Sequence, residues 1–349
     1  MNKLIRTTES RTVRRARLAA SALGVAVAVA GAAAITPAQG SAAASHGKHG
    51  IAALEQGLLA VDGTGAGETI ALRLKAGQPL ILQVDIDGDG QADAEFVRAD
   101  VARIAVDGRG GDDTLRVDES NGPFGDIPTT FAGGGGEDTL IGGSGAETLV
   151  GGGGRDSIDG NRGNDLALMG GGEDTFVWDP GDGSDTVEGQ GGFDTMLFNG
   201  ANVAERVDLT ANGTRLRFFR DIAGITMDTD GVERVDFRAL GGADVVTVDD
   251  LSGTDVTDVN VDLGSSAGTG DGSADRVIVN GTNRNDRIRV AGDAAGVSVS
   301  GLAATVRVLH AEPASDRLEI ETLAGSDTAD SAGLAPGVIQ LFVYGILVA

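Results

Sequence analysis

Between residues 133 and 197 single apolar side chains recur at nine-residue spacing, each flanked by polar neighbours and followed by a run of glycines. The segments read GGGGEDTLI (133–141), GGSGAETLV (142–150), GGGGRDSID (151–159), GNRGNDLAL (160–168), MGGGEDTFV (169–177), PGDGSDTVE (180–188) and GQGGFDTML (189–197). An upstream copy, GRGGDDTLR, sits at 108–116. Each x-apolar-x triplet reads as a very short strand whose middle side chain points to one face. Each glycine half reads as a tight turn. A single unit cannot bury Leu140 or Ile158 by itself, whereas stacked units bury a continuous thin core. The pattern therefore predicts an all-β chain built around a parallel β-roll or β-solenoid.

Two nonapeptides close one coil, so acids two repeats apart stack about 4.8 Å apart, the strand spacing of a sheet. Asp138, Asp156, Asp174 and Asp194 form one predicted row, Glu147, Asp165 and Asp185 the opposite one, and Asp113 belongs to the upstream copy. Neighbouring carboxylates in such a row repel by about 1 kcal/mol in water and about 3–4 kcal/mol at an effective dielectric of 20. Cations between the rungs relieve that repulsion. The turn glycines aim carbonyl oxygens into the same space, and an all-oxygen shell suits Ca²⁺.

These residues resemble the repeats-in-toxin, or hemolysin-type, calcium-binding nonapeptide, Gly-Gly-x-Gly-x-Asp-x-apolar-x. The resemblance covers 133–197 together with 108–116. It implies a parallel β-roll in which sixth-position acids and turn carbonyls hold Ca²⁺ between coils. Carried onto this chain, the implied ligands are Asp113, Asp138, Glu147, Asp156, Asp165, Asp174, Asp185 and Asp194, with the loop glycines Gly136, Gly145, Gly154, Gly163, Gly172, Gly183 and Gly192. The pattern has departures. Glu147 replaces Asp and is expected to remodel its site. Arg162 and Gln190 stand near or at expected glycines, and Ala167 is small for an apolar position. Trp178-Asp179 is inserted between copies, which predicts a bulge and puts one site in doubt.

The flanks also read as strands. Alternation is clear in TIALRLKAG (69–77) and PLILQVDID (79–87), and a third run covers 96–108. Between the second and third lies an Asp-rich loop with Asp85, Asp87, Asp89 and Asp93. It opens like an EF-hand, but Phe96 stands where the bidentate Glu is required. A strand-flanked calcium loop and a plain Asp-Gly hairpin turn both remain open. Beyond Leu197 short strands continue, and LGGADVVTV, GTNRNDRIR and LAGSDTADS echo the repeat through Asp244, Asp286 and Asp327. These read as coils that keep the strand and have lost most of the metal loop. The last stretch, 338–349, is apolar but too short to span a bilayer. The chain divides into 1–44, 45–106 (β-rich), 107–197 (the roll) and 198–349 (β-rich with degenerate repeats).

Residues 1–44 carry Arg6, Arg11, Arg14, Arg15 and Arg17 ahead of an Ala/Val/Gly-rich run and end in small residues, Ala42 to Ala44. This reads as an export signal rather than a membrane span, by general secretion or the twin-arginine route. The chain as a whole has a net charge of −25 and no cysteine. That charge argues against nucleic acid as a partner and favours divalent cations. Without cysteine there are no disulfides, thiolate metal sites or cysteine nucleophiles. His46 and His49 read as solvated terminal residues and His310 as a strand-end surface residue, so no catalytic constellation emerges. Two functions are expected from this. The first is a secreted or surface-associated calcium-binding protein that folds on Ca²⁺ and has a structural or adhesive role toward a cell surface or extracellular polymer. The alternative is a polysaccharide-active β-solenoid enzyme carrying a calcium roll.

Overall fold

The apolar residue of every repeat points inward, and the inward set forms two facing columns. Leu115, Leu140, Ile158, Phe176 and Met196 come from one side, and Phe131, Leu149, Ala167 and Val187 from the other, all fully buried. A computed structural model describes residues 45–47 and 50–345. The export signal read at 1–44 lies outside the described residues, as do residues 48–49 and 346–349 and the side chains of His46 and His49.

The described chain winds into two long sheets of 15 and 14 strands. Through the array the pairing is parallel and strictly in register. Leu140 pairs with Ile158 and Ile158 with Phe176 in one sheet, while Leu149 pairs with Ala167 and Ala167 with Val187 in the other. The two sides of the coil differ. One carries bare triplets such as Thr139–Ile141 and Ser157–Asp159. Strands on the other side run on through the following glycines, as in Thr148–Gly153 and Leu166–Gly172. Small Ala167 has a compensating neighbour: Met169 lies two residues further along the same strand, on the same face, and is fully buried.

Both sheets continue past the array in both directions without a break. Downstream of the array two antiparallel excursions interrupt the parallel pattern. Residues 206–230 fold as Arg206–Asn212, Arg215–Arg220 and Ile225–Asp230, the first two joined by a two-residue loop with Gly213 at φ 70°. Residues 287–309 do the same in the other sheet. The insertion at Trp178-Asp179 does not bulge the sheet. Trp178 extends the strand Thr175–Trp178 and pairs in register with Phe198. It stacks on that ring at 4.0 Å and donates from Nε1 to the Gly183 carbonyl at 2.8 Å. Phe218 and Phe237 extend this aromatic layer. Among the described residues no helix is long and apolar enough to cross a membrane.

Candidate metal centre

Each sixth-position acid sits just before its strand, where the chain leaves the turn, and points into the solenoid. The backbone N–H of one acid donates to a carboxylate oxygen of the acid one coil further on. One row runs from Glu68 to Asp113 (2.7 Å), Asp138 (2.8 Å), Asp156 (2.9 Å), Asp174 (2.8 Å), Asp194 (3.0 Å) and Glu233 (2.8 Å). The opposite row links Glu147 to Asp165 (2.7 Å) and Asp165 to Asp185 (2.8 Å). The second of these links spans the Trp178-Asp179 insertion, so the rung survives it. Asp113 joins the first row although its copy lies upstream of the array.

These bonds use one oxygen of each aspartate. The other, Oδ2 of Asp113, Asp138, Asp156, Asp165, Asp174, Asp185 and Asp194, is buried and meets no donor. A buried carboxylate left half-solvated by protein holds its charge poorly. Burial therefore pushes the carboxyls of Asp113, Asp185 and Asp194 up to about 7, of Asp165 to about 8 and of Asp156 to about 6. The backbone hydrogen bond opposes the rise, and neighbouring acids add to it. Asp138 and Asp174 are raised for the same first reason.

The glycines serve these carboxylates in two ways. At the first repeat position there is no room for a side chain: a Cβ on Gly133 would lie 2.3 Å from Oδ2 of Asp138, and one on Gly160 2.4 Å from Oδ2 of Asp165. The fourth-position glycines stack in two columns, each Cα seated on the carbonyl of the glycine one coil earlier. A Cβ on Gly154 would fall 1.8 Å from the Gly136 oxygen, and one on Gly163 1.7 Å from that of Gly145. Gly172 and Gly192 continue the first column and Gly183 the second. A carbonyl column thus accompanies each carboxylate column along the two edges.

Not every rung has a spare oxygen. Glu147 takes its own loop's N–H from Gly143 at 2.8 Å, Glu68 that of Thr64 at 3.2 Å and Glu205 that of Ala201 at 3.1 Å. Asp286 and Asp316 likewise accept from Thr282 at 2.7 Å and Glu312 at 2.6 Å. In each case the donor lies four residues before the acid. Where Oδ2 is left over in the two rows, the residue at that place is left-handed: Arg109, Gly134, Gly152, Asn161, Gly170, Gly181 and Gln190 all have positive φ. That conformation takes the N–H out of reach of the acid. Gln190 fills its expected glycine position in the left-handed form (φ 68°), whereas Arg162 occupies the next position, where no positive φ is needed.

In the upstream loop, carboxylate oxygens of Asp85, Asp87 and Asp89 converge within 4.8 Å of one another. Asp85 is buried and already has a cation, the Arg73 guanidinium at 2.9 Å, with the N–H groups of Gly88 and Gly90 on its two oxygens. Asp93 braces the hairpin, accepting from the Ile86 N–H at 2.8 Å. His310 is exposed after its strand and pairs with Asp262 at 2.6 Å.

Row members that repeat spacing does not reveal are Glu68, Glu205, Glu233, Asp275 and Asp316. A local signal marks four of them: an acid followed by Arg and an apolar residue, at 205–207, 233–235, 275–277 and 316–318, as also at 286–288. In the nonapeptides that middle position is mostly Thr.

Buried oxygens in coil-to-coil register, carbonyl columns and absent nitrogen or sulfur ligands define a hard-cation site repeated along a β-roll. The repeats themselves match the family described as RTX calcium-binding nonapeptide repeat (4 copies), over residues 132–167, 141–176 and 180–196. The match supports a calcium-binding β-roll protein. No curated protein matches the chain. The residues present fit Ca²⁺: Oδ2 of Asp113, Asp138, Asp156, Asp165, Asp174, Asp185 and Asp194 would hold it, with turn carbonyls completing the shell. The ion would supply the positive charge that these buried oxygens lack.

Proposed function

We propose that the protein is an exported calcium-dependent scaffold, with a structural or adhesive role outside the cell, whose roll folds when Ca²⁺ binds. The observation that carries this reading is the set of buried, donorless Oδ2 atoms, one per Asp rung of the nonapeptides. Each is an oxygen that the metal-free fold buries with no donor, either as a charge without compensation or with a bound proton. A chain of net charge −25 with a thin core tolerates few such penalties. Calcium reverses their sign and couples binding to folding. Weak extracellular sites, with dissociation constants of about 10⁻⁴–10⁻³ M, would stay empty inside the cell and fill outside it. The basic, alanine-rich segment at 1–44 supports export. In this reading the protein binds a surface or extracellular polymer and catalyses nothing.

The test uses Trp178, the chain's one tryptophan. Calcium added to chelator-treated protein should raise the far-ultraviolet β signal and blue-shift Trp178 emission together, reversibly, with magnesium a poor substitute. A full β signal in chelator, with no ion taken up on titration, would overturn the proposal.

A further inference from the structure

A third carboxylate row lies beyond the nonapeptide array. Glu205 donates its N–H to Asp244 (2.7 Å), Asp244 to Asp275 (2.8 Å) and Asp275 to Asp316 (3.1 Å), each acid leading into a strand of the 15-stranded sheet. The geometry is that of the array, although the coils are much longer. The two ends of this row are satisfied by the protein. Glu205 is held by the buried Arg220 guanidinium and the Ala201 N–H, and Asp316 by the Glu312 N–H. The two middle rungs are not. Asp244 and Asp275 are each 1% exposed, and Oδ2 of each has no donor.

Among the described residues no basic side chain makes up the deficit. Arg276, next to Asp275, pairs with Glu319 instead. What approaches is another acid: Asp271 accepts the Gly242 N–H at 3.0 Å, in the loop that leads to Asp244. The loop before Asp244 also keeps the array's left-handed residue, here Leu240 at φ 63°, four places before the acid. A branched side chain holds that conformation at a cost of about 1–2 kcal/mol, so the loop is kept in shape by its surroundings.

We infer that Asp244 and Asp275 form a divalent-cation site of their own, outside the nonapeptide repeats, that takes Ca²⁺ with Asp271 at its edge. The comparison inside the molecule is direct. Where the solenoid buries a carboxylate beside a guanidinium, as at Asp85 with Arg73 and Glu205 with Arg220, no oxygen is left over. Where it buries one without a guanidinium or a loop N–H, as at Asp244 and Asp275, an oxygen is left without a donor in acidic surroundings, which a divalent cation would neutralise. Burial and these like charges push the Asp244 carboxyl up to about 8 and that of Asp275 to about 7, as at the array rungs. The site would pin the coils at 241–248 and 271–280 to each other, extending calcium control into the half of the solenoid that lacks the repeat.

The experiment compares the full-length protein with Asp244→Asn/Asp275→Asn and with Asp275→Asn alone. It counts bound ⁴⁵Ca²⁺ by equilibrium dialysis and maps hydrogen exchange with and without calcium. Asparagine keeps the acceptor that the preceding rung uses and removes the charge, so both variants should fold in chelator at least as well as the wild type. The double variant should bind at least one calcium ion fewer per chain. Calcium-induced protection at 241–248 and 272–280 should disappear, while 133–197 keeps its own. An unchanged ion count with unchanged protection at 241–280 would overturn the inference. Loss of calcium response confined to 133–197 in the wild type would instead sink the array reading and leave this one standing.

Discussion

The N–H of Asp138 donates to Oδ1 of Asp156 at 2.9 Å, across one full coil, and this makes the two oxygens of the Asp156 carboxylate unequal. Oδ1 belongs to the fold, and Oδ2 is available to a cation. Two substitutions separate the roles. Asp156→Asn removes charge but keeps an acceptor for Asp138. Asp156→Ala also strands a buried N–H, at about 1–3 kcal/mol. In chelator, urea unfolding should find the Asn variant as stable as the wild type or more so, and the Ala variant less stable. In excess calcium both should fall below the wild type, with higher calcium midpoints. Equal behaviour of Asn and Ala in chelator would remove the structural role assigned to Oδ1.

The raised carboxyls make the metal-free protein sensitive to pH in an unusual direction. Unfolded, these aspartates titrate near 3.8; folded, Asp156 titrates at about 6, Asp113, Asp185 and Asp194 at about 7 and Asp165 at about 8. The folded chain therefore holds protons that the unfolded chain releases. Their contribution to stability is complete below pH 3.8 and is lost as pH rises through 6 to 8. Chelator-treated protein should be more resistant to urea at pH 5 than at pH 8. With calcium the trend reverses, because protons compete with the ion. The half-saturating calcium concentration should drop between pH 5 and pH 8. Metal-free stability that rises over this interval would contradict the burial of Oδ2.

Adjacent glycines give a matched pair. A Cβ on Gly154, at φ 136°, would fall 1.8 Å from the Gly136 oxygen, whereas one on Gly153 meets nothing within 4 Å. Gly154→Ala should cost at least about 3 kcal/mol from strain and overpacking combined. Gly153→Ala should lie within about 0.5 kcal/mol of the wild type. Thermal melts in saturating calcium read both. A tolerated Gly154→Ala would mean the columns of stacked glycines are loose.

Much of this architecture is legible in the nonapeptide because one coil is a fixed number of residues there: Asp156 and Ile158 keep their phase, and so both rows and both core columns follow from the text. The unequal oxygens are not legible, since Oδ1 of Asp156 is taken by a donor 18 residues away and Oδ2 is left over through the φ of Gly152. Asp275 and Asp316 escape a period search because their rungs are separated by 31 and 41 residues. The excursion at 206–230 escapes it too, as apolar alternation is identical in parallel and antiparallel strands. Trp178 looks like a fault in the repeat and is instead a core residue, because Phe198 in the next coil provides the ring it stacks on, with Phe218 packed against Phe198 in turn.

Arg220 marks the place where the protein supplies its own cation. Its guanidinium pairs with the fully buried Glu205, donating from Nε at 2.6 Å, and lies 5.2 Å from the Trp178 ring centre. Removing one partner of a buried pair leaves an uncompensated charge, at about 3–5 kcal/mol. Arg220→Met should therefore destabilise strongly in calcium and in chelator alike, and should shift Trp178 emission as its cation neighbour leaves. Glu205→Gln/Arg220→Met removes both charges, keeps an acceptor for the Ala201 N–H and should recover most of the loss. Urea titration of the two variants and the wild type measures the coupling. If Arg220→Met alone is nearly neutral, the guanidinium is dispensable and Glu205 must be satisfied in another way. If the double variant is no better than the single one, packing against Trp178 rather than charge is what Arg220 contributes.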